Sequence, residues 1–214
     1  MELAKKLLGK VLRVKYKNNK KDIWLSAIII ETESYYLDDK GSHAFLGYTE
    51  KRKALFMPPG TIYMYYARGG DSLNFSALGK GNAVLIKSAF PYLAEDNSAE
   101  MLSVMQKLNP AKNNSSKFRV VEKLCGGQTL LCRSLCLKVA DWDAKQFDSE
   151  KFYVEDVDYK PDKIIQTKRL GIPKGRDEHL LYRFIDCQYA RYATVNPLRK
   201  RNLVEEADYL IIKN

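Results

Sequence analysis

From Leu12 to Ala89, apolar and polar positions alternate in runs separated by Gly, Asn and Pro. A two-residue period of that kind belongs to strands with one buried face, joined by turns. Leu12, Val14 and Tyr16 alternate, Asn18-Asn19 supplies a turn, and Ile23 to Tyr35 forms the second arm of a hairpin. In TIYMYYA, Tyr63 and Tyr65 fall on one face and Met64 and Tyr66 on the other. Arg68-Gly69-Gly70-Asp71 reverses the chain, Leu73 to Ala77 returns, and Gly79 to Asn82 turns again into AVLIKSA. Ahead of these strands, Leu3, Ala4, Leu7 and Leu8 make the stripe of a short helix that Gly9 ends.

Past Pro91 the period changes. Met101, Val104, Met105 and Leu108 share a helical face, Asn109 to Ser116 reads as a polar loop, and Val120 to Leu137 has helical spacing broken at Gly126-Gly127. Strands resume at Phe152 to Val157, Ile164 to Leu170 and Leu181 to Ile185, and the basic run Arg191 to Arg201 predicts a partly ordered tail over residues 190–214. With no repeat, low-complexity tract or linker, the pattern predicts one α+β domain over residues 1–214, a curved, mainly antiparallel sheet with helices packed around it.

Charge narrows the partners. Against 26 Asp and Glu stand 36 Lys and Arg, a net +10, which favours a polyanion such as nucleic acid or an anionic membrane surface. No apolar run reaches the roughly 18–20 residues of a membrane span, and the start MELAKKLLGKVLRV lacks the features of a secretory signal, so an intracellular protein is expected. Cys125, Cys132, Cys136 and Cys187 form no CxxC pair and have no His nearby in sequence, so they read as reduced packing thiols, with no metal and no cofactor expected.

Candidate chemistry gathers in IIIETESYYLDDKGSH, residues 28 to 43. If the strand runs through Tyr35, then Glu31, Glu33 and Tyr35 share a face, with His43 in the loop beyond. Adding Tyr65 and Asn74 from the neighbouring strands gives a pocket walled by aromatic rings beside a carboxylate. Such walls suit a flat ligand, since base–aromatic stacking contributes about 1–3 kcal/mol per base in single-stranded complexes. An electron-poor or cationic ring is favoured by the negative tyrosine faces, and a lone carboxylate can activate water or stabilise a cationic sugar. With the basic charge, this suggests hydrolysis of an N-glycosidic bond in nucleic acid, a partial analogue of sugar hydrolysis with its paired carboxylates.

LAKKLLGKVLRV, ETESY at 31 to 35, His43, FMPPGTIYMY at 56 to 65, LNFS at 73 to 76 and GNAVLIKSAFP at 81 to 91 occur in the order of one family. Through them the chain resembles the alkyladenine (3-methyladenine) DNA glycosylases of the mammalian type. The resemblance implies a metal-free, monofunctional, monomeric enzyme that flips a damaged purine out of double-stranded DNA and leaves an abasic site, glycosylases being among the base-flipping enzymes. It implies Glu33 as the residue that activates water, Tyr35, His43 and Tyr65 as the grip on the base, and Asn74 as the screen against normal guanine. A DNA repair enzyme of this kind works in the nucleoid or cytoplasm of a bacterium or the nucleus of a eukaryote.

Some positions depart from the family pattern. Lys87 stands where the family has Arg, a change that loses a planar two-pronged contact. The hairpin after Tyr65 is one residue shorter, which leaves Tyr66 or Arg68 to fill the gap in the duplex. Cys125-Gly126-Gly127-Gln128-Thr129 replaces a Ser-Gly-Pro and Lys motif. Lys51, Arg52 and Lys53 stand in the loop before the Pro turn as phosphate contacts, with Arg52, Lys87, Tyr66 and Arg68 as the DNA-binding set. These departures keep two other readings open: a catalytically weak or inactive nucleic-acid-binding homologue, and an enzyme acting on a free nucleoside or RNA.

Overall fold

A computed structural model describes residues 1–18, 21–67, 69–94, 96–111 and 118–213. Nine strands form one antiparallel sheet: β1 (Val11–Lys17), β2 (Asp22–Tyr35), β3 (Ile62–Ala67), β4 (Gly70–Ser76), β5 (Ala83–Pro91), β6 (Phe152–Glu155), β7 (Lys163–Thr167), β8 (Arg183–Asp186) and β9 (Tyr209–Lys213). The main path runs β3-β4-β5-β2-β8-β7-β9. The long strand β2 is its axis. One edge of β2 pairs with β5, while the other pairs first with β1 and then, from Glu31, with β8; β6 adds to the far side of β1.

The helices α1 (Glu2–Lys6), α2 (Ser98–Leu108), α3 (Gln128–Ser134) and α4 (Val139–Trp142) are short. Their apolar residues join one core with one face of the sheet: Ala4, Met101, Met105 and Leu131 pack with Leu12, Leu25, Ile29, Met64, Leu73, Ile86 and Phe184. Each fully buried Leu or Ile contributes about 1.5–3 kcal/mol. Once these residues cover one face, the polar positions of the same strands are left for the other.

Two offsets in the β2–β5 pairing decide which residues those are. Ile29 pairs with Ala89 but Glu31 with Ser88, and Thr32 pairs with Ile86, so Ile30 on β2 and Lys87 on β5 are each an extra residue. A bulge breaks simple alternation. Upstream, Leu25, Ala27 and Ile29 face the core; downstream, Thr32 donates to the Ala4 carbonyl on that side. Glu31, Glu33 and Tyr35 are thereby turned to the opposite face, together with Lys87 and Ser88.

The basic run predicted a partly ordered tail here. Residues 190–213 are built into the molecule: β9 extends the sheet beside β7, and Thr194 donates from its backbone N and Oγ1 to Glu31 Oε2, at 2.8 and 3.0 Å. Glu31 is fully buried and also accepts from Arg183 Nε at 2.6 Å and Ser88 Oγ at 2.6 Å, while Arg183 Nη2 donates to the Val195 carbonyl. The donors replace the water that a buried carboxylate loses. The basic run hid the apolar YLIIK that follows it.

Candidate active site

Pairing register lays the floor of the site. Tyr63 opposes Asn74, Asn74 opposes Leu85, Leu85 opposes Glu33 and Glu33 opposes Arg183, so one row crosses five strands. Directly opposed residues point to the same side of a sheet. Above this row lies a cavity of about 350 Å³, near the lower end of the roughly 300–1,000 Å³ usual for small-molecule pockets. Tyr35 from the end of β2 and Tyr65 from β3 both line it, with β4 and β5 between their strands.

Glu33 is fully buried directly behind this cavity, held by three of the residues that line it. Its Oε2 accepts from the Tyr35 hydroxyl at 2.7 Å, and its Oε1 accepts from the Leu170 backbone N at 3.2 Å with Lys87 Nζ 3.5 Å away. The carboxylate is thus fixed from three directions. Burial, first, and the Glu33 charge, second, push the Tyr35 hydroxyl well above its ordinary pKa, so it remains a donor.

His43 sits across the pocket against Tyr65, ring centroids 4.6 Å apart, which leaves no space for a base between them; the two form one wall and Tyr35 the other. His43 Nδ1 lies 2.9 Å from the Tyr63 hydroxyl. Burial holds the imidazole below its usual pKa, and the Arg52 and Arg176 charges add to this, while burial raises the Tyr63 hydroxyl. A neutral imidazole that accepts from Tyr63 at Nδ1 carries its proton on Nε2, as a donor to a ligand. Asn74 is locked by donating Nδ2 to the Tyr63 carbonyl at 3.1 Å.

Sequence reasoning missed the far wall, Leu170 to Pro173 with Arg176. The strand expected through Leu170 ends at Thr167, and the chain turns in over the pocket there. Arg169 secures the turn. Its side chain is fully buried, pairs in two-pronged fashion with Asp39, donates to the Ser34 carbonyl at 3.2 Å and lies 4.6 Å from the Tyr35 ring centroid. One arginine therefore backs the Tyr35 ring, ties down the loop that leads to His43, and carries the next residue's N–H to Glu33. A contact made through backbone N–H has no side-chain signature.

The DNA-binding set is dispersed. Lys87 is not on the open surface but in the pocket wall, aimed there by its bulge. Arg52, with Lys51 and Lys53, belongs to a 3-10 helix, Glu50–Phe56, where a loop was expected, and Arg52 Nη1 donates to the carbonyls of Leu46 and Gly47 at 3.1 and 3.0 Å. Tyr66 is 69% exposed on the strand face opposite Tyr65 and does not line the pocket; Arg68 lies outside the described residues. Thr129 packs on the hairpin, where a Cβ on Gly70 would meet its Cγ2 at 2.1 Å, so only glycine fits there.

A buried, triply fixed carboxylate thus stands beside an aromatic-walled pocket on a basic protein. The chain belongs to the family described as methylpurine-DNA glycosylase (MPG), whose model matches residues 1–189. Its relatives include proteins named "Putative 3-methyladenine DNA glycosylase" from three bacteria. That of Pseudomonas syringae pv. tomato is 60% identical over 210 residues, covering 98% of this chain and 91% of the relative. The Pseudomonas aeruginosa protein is 56% identical over the same length, with 98% and 85% covered. The protein from Francisella tularensis subsp. tularensis is 29% identical over 191 residues, with 86% and 88% covered. The chain is accordingly a DNA glycosylase of the alkylation-repair type, and no helix among its described residues is long and apolar enough to cross a membrane.

Proposed function

We propose that this chain hydrolyses the N-glycosidic bond of alkylated purines in double-stranded DNA, after the damaged nucleotide has swung out of the helix into the pocket between Tyr35 and the His43–Tyr65 wall. The observation that carries the reading is Glu33: a buried carboxylate held by Tyr35, Leu170 and Lys87, three residues that line a pocket walled by aromatic rings. Glu33 takes a proton from water as that water adds to the anomeric carbon, and the base departs to leave an abasic site. An alkylated purine already carries positive charge and leaves without a strong acid, while tyrosine faces favour its cationic ring. Deaminated purines, which are neutral, leave more slowly and depend on a hydrogen bond to the base, for which His43 Nε2 is the available donor.

Asn74 acts as the screen, its fixed amide occupying the space that the exocyclic amino group of normal guanine needs. DNA as substrate places the protein inside the cell, at the nucleoid in bacteria such as those of its relatives. The test is Glu33→Gln, which keeps the size of the side chain, exchanges one acceptor oxygen for a donor amide and removes the base. Release from duplexes carrying single alkylated purines should fall to background while the variant still binds those duplexes more tightly than undamaged DNA. Base release at the wild-type rate would remove Glu33 from this role, and tight lesion binding by a wild-type chain that frees no base would favour the inactive binding homologue.

A further inference from the structure

Lys87 is unusual for three reasons taken together. Its side chain is 11% exposed, lines the pocket, and holds its amine 3.5 Å from the Glu33 carboxylate. It is also the bulged residue of β5, opposed by no residue on β2, so the backbone irregularity serves to aim it inward. The residue type matters as much as the position. A guanidinium in this place can only donate hydrogen bonds, whereas a lysine amine is a nucleophile that forms Schiff bases with carbonyl compounds.

Base removal produces such a carbonyl compound at that spot. The abasic sugar opens to an aldehyde at its anomeric carbon, the atom beside Glu33. We propose that Lys87 adds to this aldehyde and that the protein therefore has a second, strand-incising lyase activity on abasic DNA. This rests on the functional reading above for the location of the sugar.

The step balances with the groups present. Glu33 accepts a proton from the Lys87 ammonium, and the free amine adds to the aldehyde carbon. The protonated carboxyl then returns its proton to the carbinolamine oxygen, which leaves as water and gives an iminium. The carboxylate next removes a proton from the adjacent sugar carbon, and the 3′-phosphate departs with the electron pair of its C–O bond, breaking the strand. Water finally hydrolyses the imine, freeing Lys87 and an unsaturated aldehyde at the 3′ end. No oxidant or reductant is consumed.

The test uses duplex DNA that already contains an abasic site, so base release is not required. Sodium borohydride reduces the iminium and should lock the full-length protein to the DNA as a band stable in denaturing gels, with the DNA remnant mapping by mass spectrometry to the peptide that contains Lys87. Without borohydride, the strand should be nicked before any alkali treatment. Lys87→Arg should lose both the trapped band and the nick. Glu33→Gln should slow trapping by removing the proton acceptor. Binding of each variant to lesion-containing duplex reports that it is folded.

Trapping that persists in Lys87→Arg, or that maps to another amine, would overturn the proposal. So would the absence of a trapped band from wild-type protein that binds the abasic duplex. Base release from alkylated duplexes by that same wild-type protein would leave the glycosylase reading standing, so the two failures are distinguishable.

Discussion

Replacing Asp39 by Asn would leave the Arg169 guanidinium in the interior without its anion. The two side chains are 2% and 0% exposed and make a two-pronged contact. Removing one member of a buried pair costs about 3–5 kcal/mol, because the remaining charge has neither partner nor water. At roughly 2–4 °C per kcal/mol for a chain of this size, Asp39→Asn should lower the melting temperature by about 6–20 °C. Replacing both members with apolar residues, Asp39→Leu with Arg169→Met, removes the charge and the penalty together and should recover most of that loss.

Activity should not recover with it. Arg169 backs the Tyr35 ring and precedes the Leu170 N–H that binds Glu33, so the double variant loses the part that fixes the carboxylate. Misplacing a reacting group by 1 Å costs about 100-fold in rate, and base release under single-turnover conditions should fall about 10–100-fold. Urea or thermal melts give the first quantity and gel quantification of abasic sites the second. An Asp39→Asn penalty below about 1 kcal/mol would refute the buried-charge argument. Full-rate base release by the restored double variant would refute the positioning role.

Two further outcomes follow from the titrating groups. Because burial and the nearby arginines hold His43 below its usual 6.5, the unfolded chain takes up this proton first as pH falls. His43 therefore contributes stability that is present above 6.5 and declines as pH drops from there through its lowered folded pKa. Charging it also places a cation beside the slot, so Glu33→Gln protein should lose affinity for cationic lesions over the same interval, and adding His43→Gln should flatten that pH dependence. An unchanged profile in the doubly substituted protein would exclude His43. Among the thiols, burial pushes Cys125 up to about 12 and Cys132 higher still, while Cys136 and Cys187 are partly exposed. A thiol reagent should label only Cys136 and Cys187 in the native state and all four in urea, as read by intact mass.

Much of the site was legible because its residues sit on strands. The alternation of Tyr63 and Tyr65, the shared face of Glu31, Glu33 and Tyr35, and Asn74 on the next strand all follow from a period of two. What escaped is what periodicity does not encode. Ile30 as an extra residue decides which side that shared face takes; unbroken alternation would have grouped Glu33 with Leu25, Ala27 and Ile29 in the apolar core. Lys87 read only as one of the DNA-binding set because its bulge is a property of the pair of strands, not of either alone. Arg169 and Asp39 are 130 positions apart and carry no local pattern. The basic stretch from Arg191 suggested solvent, whereas Thr194 and Val195 satisfy the Glu31–Arg183 pair and β9 closes the sheet.

The paired extra residues Ile30 and Lys87 behave as two frame shifts of opposite sign. Beyond them the strands run in step again, so deleting either alone would leave Glu33, Tyr35 and their neighbours out of phase with the other strand, and the apolar lining and the polar chemistry would trade places. Deleting both would mend the pairing and, by plain alternation from Ile29 and Ala89, keep Glu33 and Leu85 on the pocket side, at the loss of Lys87 itself. Loops of this protein can lengthen or shrink at the surface; the few residues between Ile29 and Thr32 are where the number of amino acids, more than their kind, separates an enzyme from a misfolded sheet.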